Sequence, residues 1–118
     1  MTESTTEPVE TTFKSMGLIA PLLKSLETLG YEAPTAIQAL AIPLLLEGRD
    51  LIGQAQTGTG KTAAFLLPIM HHIATDPIPG KPVIQALVLT PTRELAAQIG
   101  DRIKVYGGAL GLRHKVIL

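Results

Sequence analysis

The sequence predicts an α/β fold, a parallel sheet with flanking helices. Three observations predict it. Short apolar runs alternate with stretches of helical spacing, the pattern of β-α-β units. A glycine-rich segment, Asp50 to Thr62, stands between an apolar run and a helix-like run. Hydrophobic residues make up 46% of the 118 residues and aromatics only 3%, so the core must be aliphatic.

The elements follow in chain order. Residues 1–12 hold Glu3, Glu7 and Glu10, no basic residue and almost nothing apolar, and read as a disordered acidic tail. The domain is expected to begin at Phe13, the first residue that favours burial. Leu18 to Leu29 has helical spacing, with Pro21 in the first turn and Gly30 as the stop. Thr35 caps a short helix to about Ala41, and Pro43 opens another that ends at Gly48. Leu51-Ile52 begins a strand. A helix from Lys61 to His72 follows, kinked at Pro68. Asp76 to Pro82 is a surface loop. Gln85 to Thr90 is continuously apolar apart from its ends, the mark of a strand buried on both faces. A second long helix opens near Arg93, with Tyr106-Gly107-Gly108 at its end, and Lys115 to Leu118 starts a third strand.

Net charge is zero, which argues against a broad polyelectrolyte surface, so any nucleic acid contact must be local. Apolar runs such as Ile42 to Leu46 are too short to cross a bilayer, and no leader-like segment is seen. With no cysteine there is no disulfide or cysteine-based zinc site. A cytoplasmic protein without a membrane partner is the expectation.

The chemistry concentrates at Ala55-Gln56-Thr57-Gly58-Thr59-Gly60-Lys61-Thr62. Glycines let successive N–H groups turn toward one anion, and the helix that follows adds the positive end of its dipole. Lys61 reaches the outer phosphates of a nucleotide as a point charge, and the Thr62 hydroxyl takes a place on Mg²⁺. The general phosphate-loop pattern has glycine where this chain has Ala55. The alternative is a glycine-rich turn before an ordinary helix. His71 and His72 are helix neighbours and cannot face one ion. Arg49-Asp50 reads as a turn pair.

Three motifs in order give a resemblance to the DEAD-box RNA helicases, most like the bacterial RhlE type. Phe13 followed by Gly30 to Gln38 (GYEAPTAIQ) resembles the family's Q motif. Ala55 to Thr62 (AQTGTGKT) resembles motif I, where alanine at the first position is usual. Pro91 to Ala96 (PTRELA) resembles motif Ia. The resemblance runs from Phe13 to Leu118.

It implies a three-layer P-loop NTPase of the RecA-like kind, and ATP with Mg²⁺ as cofactors. Gln38 would read the adenine edge, since an amide offers one donor and one acceptor. Tyr31 would stack on the base, and Phe13 would pack beneath. Pro91, Thr92 and Arg93 would hold RNA by its backbone, with little sequence specificity. For single residues, core anchoring by Phe13 and Tyr31, a surface place for Gln38, and helix capping by Thr92 are the plainer alternatives.

The family's Asp-Glu-Ala-Asp motif and second RecA-like lobe have no counterpart among these residues. The aspartates are Asp50, Asp76 and Asp101, none beside another acid. The expectation is therefore the N-terminal part of a longer helicase's first lobe, stopping after its third strand. It would bind ATP without hydrolysing it, and would leave apolar strand faces uncovered. Another P-loop ATPase or kinase, or a non-catalytic nucleotide-binding module, are the competing classes.

Overall fold

The structure is a computed structural model that describes residues 12–55 and 60–118. The expected tail lies outside the described residues except at Thr12. There the expectation of disorder is corrected: the Thr12 N–H donates to Ser15 Oγ and the Ser15 N–H to Thr12 Oγ1, both at 3.0 Å. This reciprocal cap starts a 3-10 turn, Lys14–Met16, and drops Phe13 into the core at 5% exposure.

Among the described residues, four α-helices carry the fold. Helix α1 is Ala20–Thr28, with Pro21 in its first turn and Leu22 and Leu26 buried one turn apart. Gly30, at φ +80°, ends that segment in the left-handed region where only glycine is at ease. Helix α2 is Ala36–Leu46, one continuous helix and not the expected two. Pro43 lies inside it. It removes only the bond to Ala39, and burial of Ala41 and Ile42 holds the turn together. Helix α3 is Lys61–Thr75, one turn longer than expected, with Pro68 accommodated and buried within it. Helix α4 is Arg93–Gly107, followed by a 3-10 turn, Gly108–Leu110.

α2 packs along α3, and α4 lies against both α1 and α3. The shared core is Leu22, Leu26, Ile42, Leu66 and Leu67, each at most 1% exposed. Each such leucine or isoleucine contributes about 1.5–3 kcal/mol by leaving water. The core is mostly aliphatic, as the composition required, with Phe13 and Tyr106 as its buried aromatics.

The strand expectation is where the structure differs. Among the described residues no strand ladder is formed. A helix closes its hydrogen bonds within itself, whereas a strand needs a second strand about 4.8 Å away. The three segments expected as strands are without regular structure and largely exposed. Val88 is half-buried against the core, while its neighbours Leu87 and Leu89 are 78% and 84% exposed. Ile52 and Ile117 are likewise open. Gln85 to Thr90 is thus covered on one side only, and its two-sided burial is corrected. Arg49 pairs with Glu47 at 3.3 Å and not with Asp50, an exposed contact of about 1 kcal/mol at most.

Two histidines fasten the end of α3. His71 Nδ1 accepts the Ile19 N–H at 3.2 Å, at the start of α1, and His72 Nε2 donates to the Leu45 carbonyl at 2.9 Å, at the end of α2. Burial, and secondarily the charge of His72, lower the His71 pKa below its ordinary 6.5. Its acceptor role requires the neutral ring. A group whose folded pKa is depressed contributes stability above its unfolded pKa and loses it as pH falls through the folded value. The melting temperature is therefore expected to fall between pH 7 and pH 5, and His71→Leu to flatten that fall. An equal acid response in the variant would contradict it.

Candidate nucleotide site

The site is built on the start of α2. Thr35 is its N-cap, and Gln38 completes a reciprocal capping box: the Thr35 N–H donates to Gln38 Oε1 at 2.9 Å and the Gln38 N–H to Thr35 Oγ1 at 3.4 Å. The Gln38 side chain then reaches across the chain. Its Nε2 donates to the carbonyl of Gly60 at 3.1 Å. Gln38 is 3% exposed, so it is not a surface helix residue.

Gly60 is the last residue before α3, at φ +84°. A Cβ there would collide with Gln38 Nε2 and press on Thr35 Oγ1 at 3.2 Å. Glycine is thus required twice, by backbone and by neighbour. Lys61 is the first residue of α3 and exposed, and Thr62 is half-buried beside it. The expected site residues Gln56, Thr57, Gly58 and Thr59 lie outside the described residues.

An open cleft of about 630 Å³ brings Tyr31, Gln38, Gly60 and Thr62 together, with Arg102 and Tyr106 of α4 on its wall. That volume is in the range of small-molecule sites, about 300–1,000 Å³. The Gln38 amide is not fully used by its bonds within the chain. An amide has two acceptor places and two N–H groups. Thr35 takes one acceptor place and Gly60 one N–H, which leaves one of each. Ala55, half-buried, lines a second cavity of about 430 Å³ with Thr35, Ile37, Leu40 and Gln54.

Tyr31 stands between two other rings. Phe13 lies 6.4 Å away and Tyr106 6.1 Å away, edge-on at 71°. Phe13 is a core anchor packed under Tyr31. The Tyr31 and Tyr106 hydroxyls share a hydrogen bond of 3.0 Å. Burial first, and then the Tyr31 hydroxyl, raise the Tyr106 pKa well above the ordinary phenol value. Arg102 and Tyr106 were not among the sequence-derived site residues. Their i, i+4 spacing on one helix face was the available signal.

Pro91, Thr92 and Arg93 are exposed and stand apart from the cleft lining. Thr92 caps α4, accepting the Leu95 N–H at 3.1 Å, and Thr90 Oγ1 donates to the Thr92 carbonyl at 3.0 Å. Capping is therefore real, and it holds the first-turn N–H groups of α4 outward with Arg93 beside them. Among the described residues no group of three or more acidic, histidine or cysteine side chains forms a metal cluster, and no helix is long and apolar enough to cross a membrane.

A capped helix whose Gln38 amide bonds the glycine that opens a Lys-Thr helix thus frames the cleft. The DEAD/DEAH box helicase family model matches residues 35–118, and the chain belongs to that family. It is 51% identical over 107 residues to the ATP-dependent rRNA helicase rrp3 of Aspergillus niger, which covers 91% of this chain and 22% of that protein. Among solved structures, the RNA helicase Prp28 from Chaetomium thermophilum bound to ADP superposes with a TM-score of 0.79 at 42% identity. That match covers 90% of this chain and 26% of the other. Dbp5 of S. cerevisiae, bound to RNA and ADP BeF3, gives 0.71 at 39% identity over 82% of this chain and 24% of the other. The chain thus spans about a quarter or less of these proteins. The helicase-domain path is shared with them even though its ladder is not formed here.

Proposed function

We propose that this chain is the ATP-holding part of an ATP-dependent RNA helicase, which in the whole protein couples ATP binding and hydrolysis to the remodelling of RNA duplexes. The observation that carries it is the Gln38 amide, spent on Thr35 and Gly60 yet left with one donor and one acceptor at the cleft. Adenine presents the complementary pair at N6 and N7, whereas guanine presents two acceptors. Tyr31 would offer its ring to the base, Lys61 would grip the phosphates, and Thr62 would hold Mg²⁺ through its hydroxyl. Held there, the metal would supply positive charge to offset that of the phosphates. Pro91, Thr92 and Arg93 would take RNA phosphates at the start of α4.

Asp50, Asp76 and Asp101 are all exposed and dispersed, so none is placed to orient Mg²⁺ or water, and the proposed role of this stretch is to hold ATP without hydrolysing it. The acids and a second lobe belong to the remainder of a longer protein. There the segments at 51–52, 85–90 and 115–118 would pair in a parallel sheet, which would give the exposed Leu87, Leu89 and Ile117 their cover. The finer likeness to the bacterial RhlE type rests on the three motifs, while the rrp3 relative above is fungal.

A generic P-loop ATPase or kinase has no amide reader upstream of its loop, and equal binding of ATP and GTP would favour it. A non-catalytic nucleotide-binding module would bind ATP but gain nothing from RNA in the whole protein.

The test is Gln38→Ala. Loss of two amide hydrogen bonds is expected to weaken ATP binding about tenfold and to bring ATP and GTP affinities together. Loss of the capping box costs about 1 kcal/mol of stability besides, so the ratio of the two affinities is the deciding readout. A variant that still prefers ATP as the parent does would remove Gln38 from the role.

A further inference from the structure

Tyr106 closes a contact that the nucleotide reading leaves unexplained. It sits at the last turn of α4, is 2% exposed, and still carries a hydroxyl into the core. A buried hydroxyl needs a partner, and its partner is the Tyr31 hydroxyl at 3.0 Å. Phenylalanine would fill the same space without that requirement. The next residue, Gly107, lets the helix end pack closely on α3: a Cβ would stand 3.3 Å from Met70 Sδ. The helix end is thereby seated between α1 and α3 while the tyrosine ring faces Tyr31 edge-on. Tyr31 itself has no helix to hold it. It follows Gly30, at φ +80°, in the loop between α1 and α2. Phe13 supports its ring from one side, and among the described residues the Tyr106 hydroxyl alone bonds its phenol.

We propose that Tyr106 is a positioning residue for the nucleotide base: by holding the Tyr31 hydroxyl it fixes the Tyr31 ring at the cleft in the orientation a stacked base requires. This rests on the reading of the cleft as the nucleotide site. A loop ring free to rotate would lose part of its stacking on each binding event, because ordering a side chain costs free energy that a pre-set ring does not lose. Arg102, one turn earlier on α4 and on the same cleft wall, flanks the pair.

The experiment uses this chain with ATP and with inorganic tripolyphosphate, which carries no base, in a cycle of Tyr106→Phe, Tyr31→Phe and the double variant. Both single variants keep their rings. Tyr106→Phe is expected to weaken ATP binding about fivefold, the loss of one ordinary hydrogen bond, and to leave tripolyphosphate binding unchanged. The double variant is expected to lose no more than either single one, since both remove the same bond. In Tyr106→Phe, Tyr31 is the only tyrosine left and the chain has no tryptophan, so its near-ultraviolet circular dichroism reports the ring's order directly and is expected to diminish. Parental ATP affinity in Tyr106→Phe would overturn the proposal, and so would an equal weakening of ATP and tripolyphosphate, which marks a general loss of fold. A parent chain that binds tripolyphosphate but not ATP would overturn the reading of the cleft itself and this proposal with it.

Discussion

Gly60→Ala is expected to abolish tight ATP binding and to lower the melting temperature of the chain by about 10 °C. Two independent costs meet at this residue. Alanine at φ +84° enters the left-handed region, at about 1–2 kcal/mol. Its Cβ also displaces the Gln38 amide, since that position is already occupied by Nε2. The Gln38 bond to the Gly60 carbonyl is lost with it, another 0.5–1.5 kcal/mol or about that. The binding effect exceeds the stability effect because the same movement turns the amide away from the cleft and shifts the start of α3. Thermal melts and calorimetric titration with ATP check it. A variant that melts with the parent and binds ATP equally would show that Gly60 and Gln38 are not joined as the structure has them.

Lys61→Ala is expected to separate binding from stability in the opposite way. Lys61 is exposed at the first position of α3, where a cation faces the positive end of the helix dipole. It makes no ion pair among the described residues. Replacing it by alanine relieves that repulsion and improves helix propensity, so stability should be unchanged or rise by about 0.5 kcal/mol. A phosphate is the partner proposed for a lysine that makes no ion pair among the described residues. Charge-assisted bonds of this kind are worth about 1.5–3 kcal/mol, so ATP binding should weaken about 10- to 150-fold. Loss of stability without loss of affinity would assign Lys61 to the fold.

Local chemistry made much of this legible in the sequence. Pro21, Thr35, Gly60 and Thr92 each mark a helix start through their own backbone or side-chain bonds, and the structure has helices beginning beside all four. The Q motif singled out Gln38, but its bond to Gly60, twenty-two positions away, was not legible. Spacing along the chain carries no record of that contact. Pro43 misled because a proline opens a helix as readily as it interrupts one, and packing against α3 decided between them. The apolar run Gln85 to Thr90 reads as buried on both faces because hydrophobicity reports what a segment prefers to bury, not what covers it. Here the helices cover Val88 and nothing among the described residues covers Leu87 or Leu89. Tyr106 stayed hidden because two adjacent glycines in the sequence, Gly107 and Gly108, read as a weak helix end. In the folded chain they are the end that seats the tyrosine.

The central claim is that a buried amide, bonded to the start of a phosphate-gripping helix, selects adenine in this chain. Calorimetric titration of the chain with ATP and with GTP, each with Mg²⁺, tests it most directly, with inorganic phosphate assayed in the same samples. The account predicts binding of ATP at least about tenfold tighter than GTP, and no phosphate released. Equal affinity for the two nucleotides, or turnover of ATP by this chain alone, would contradict it.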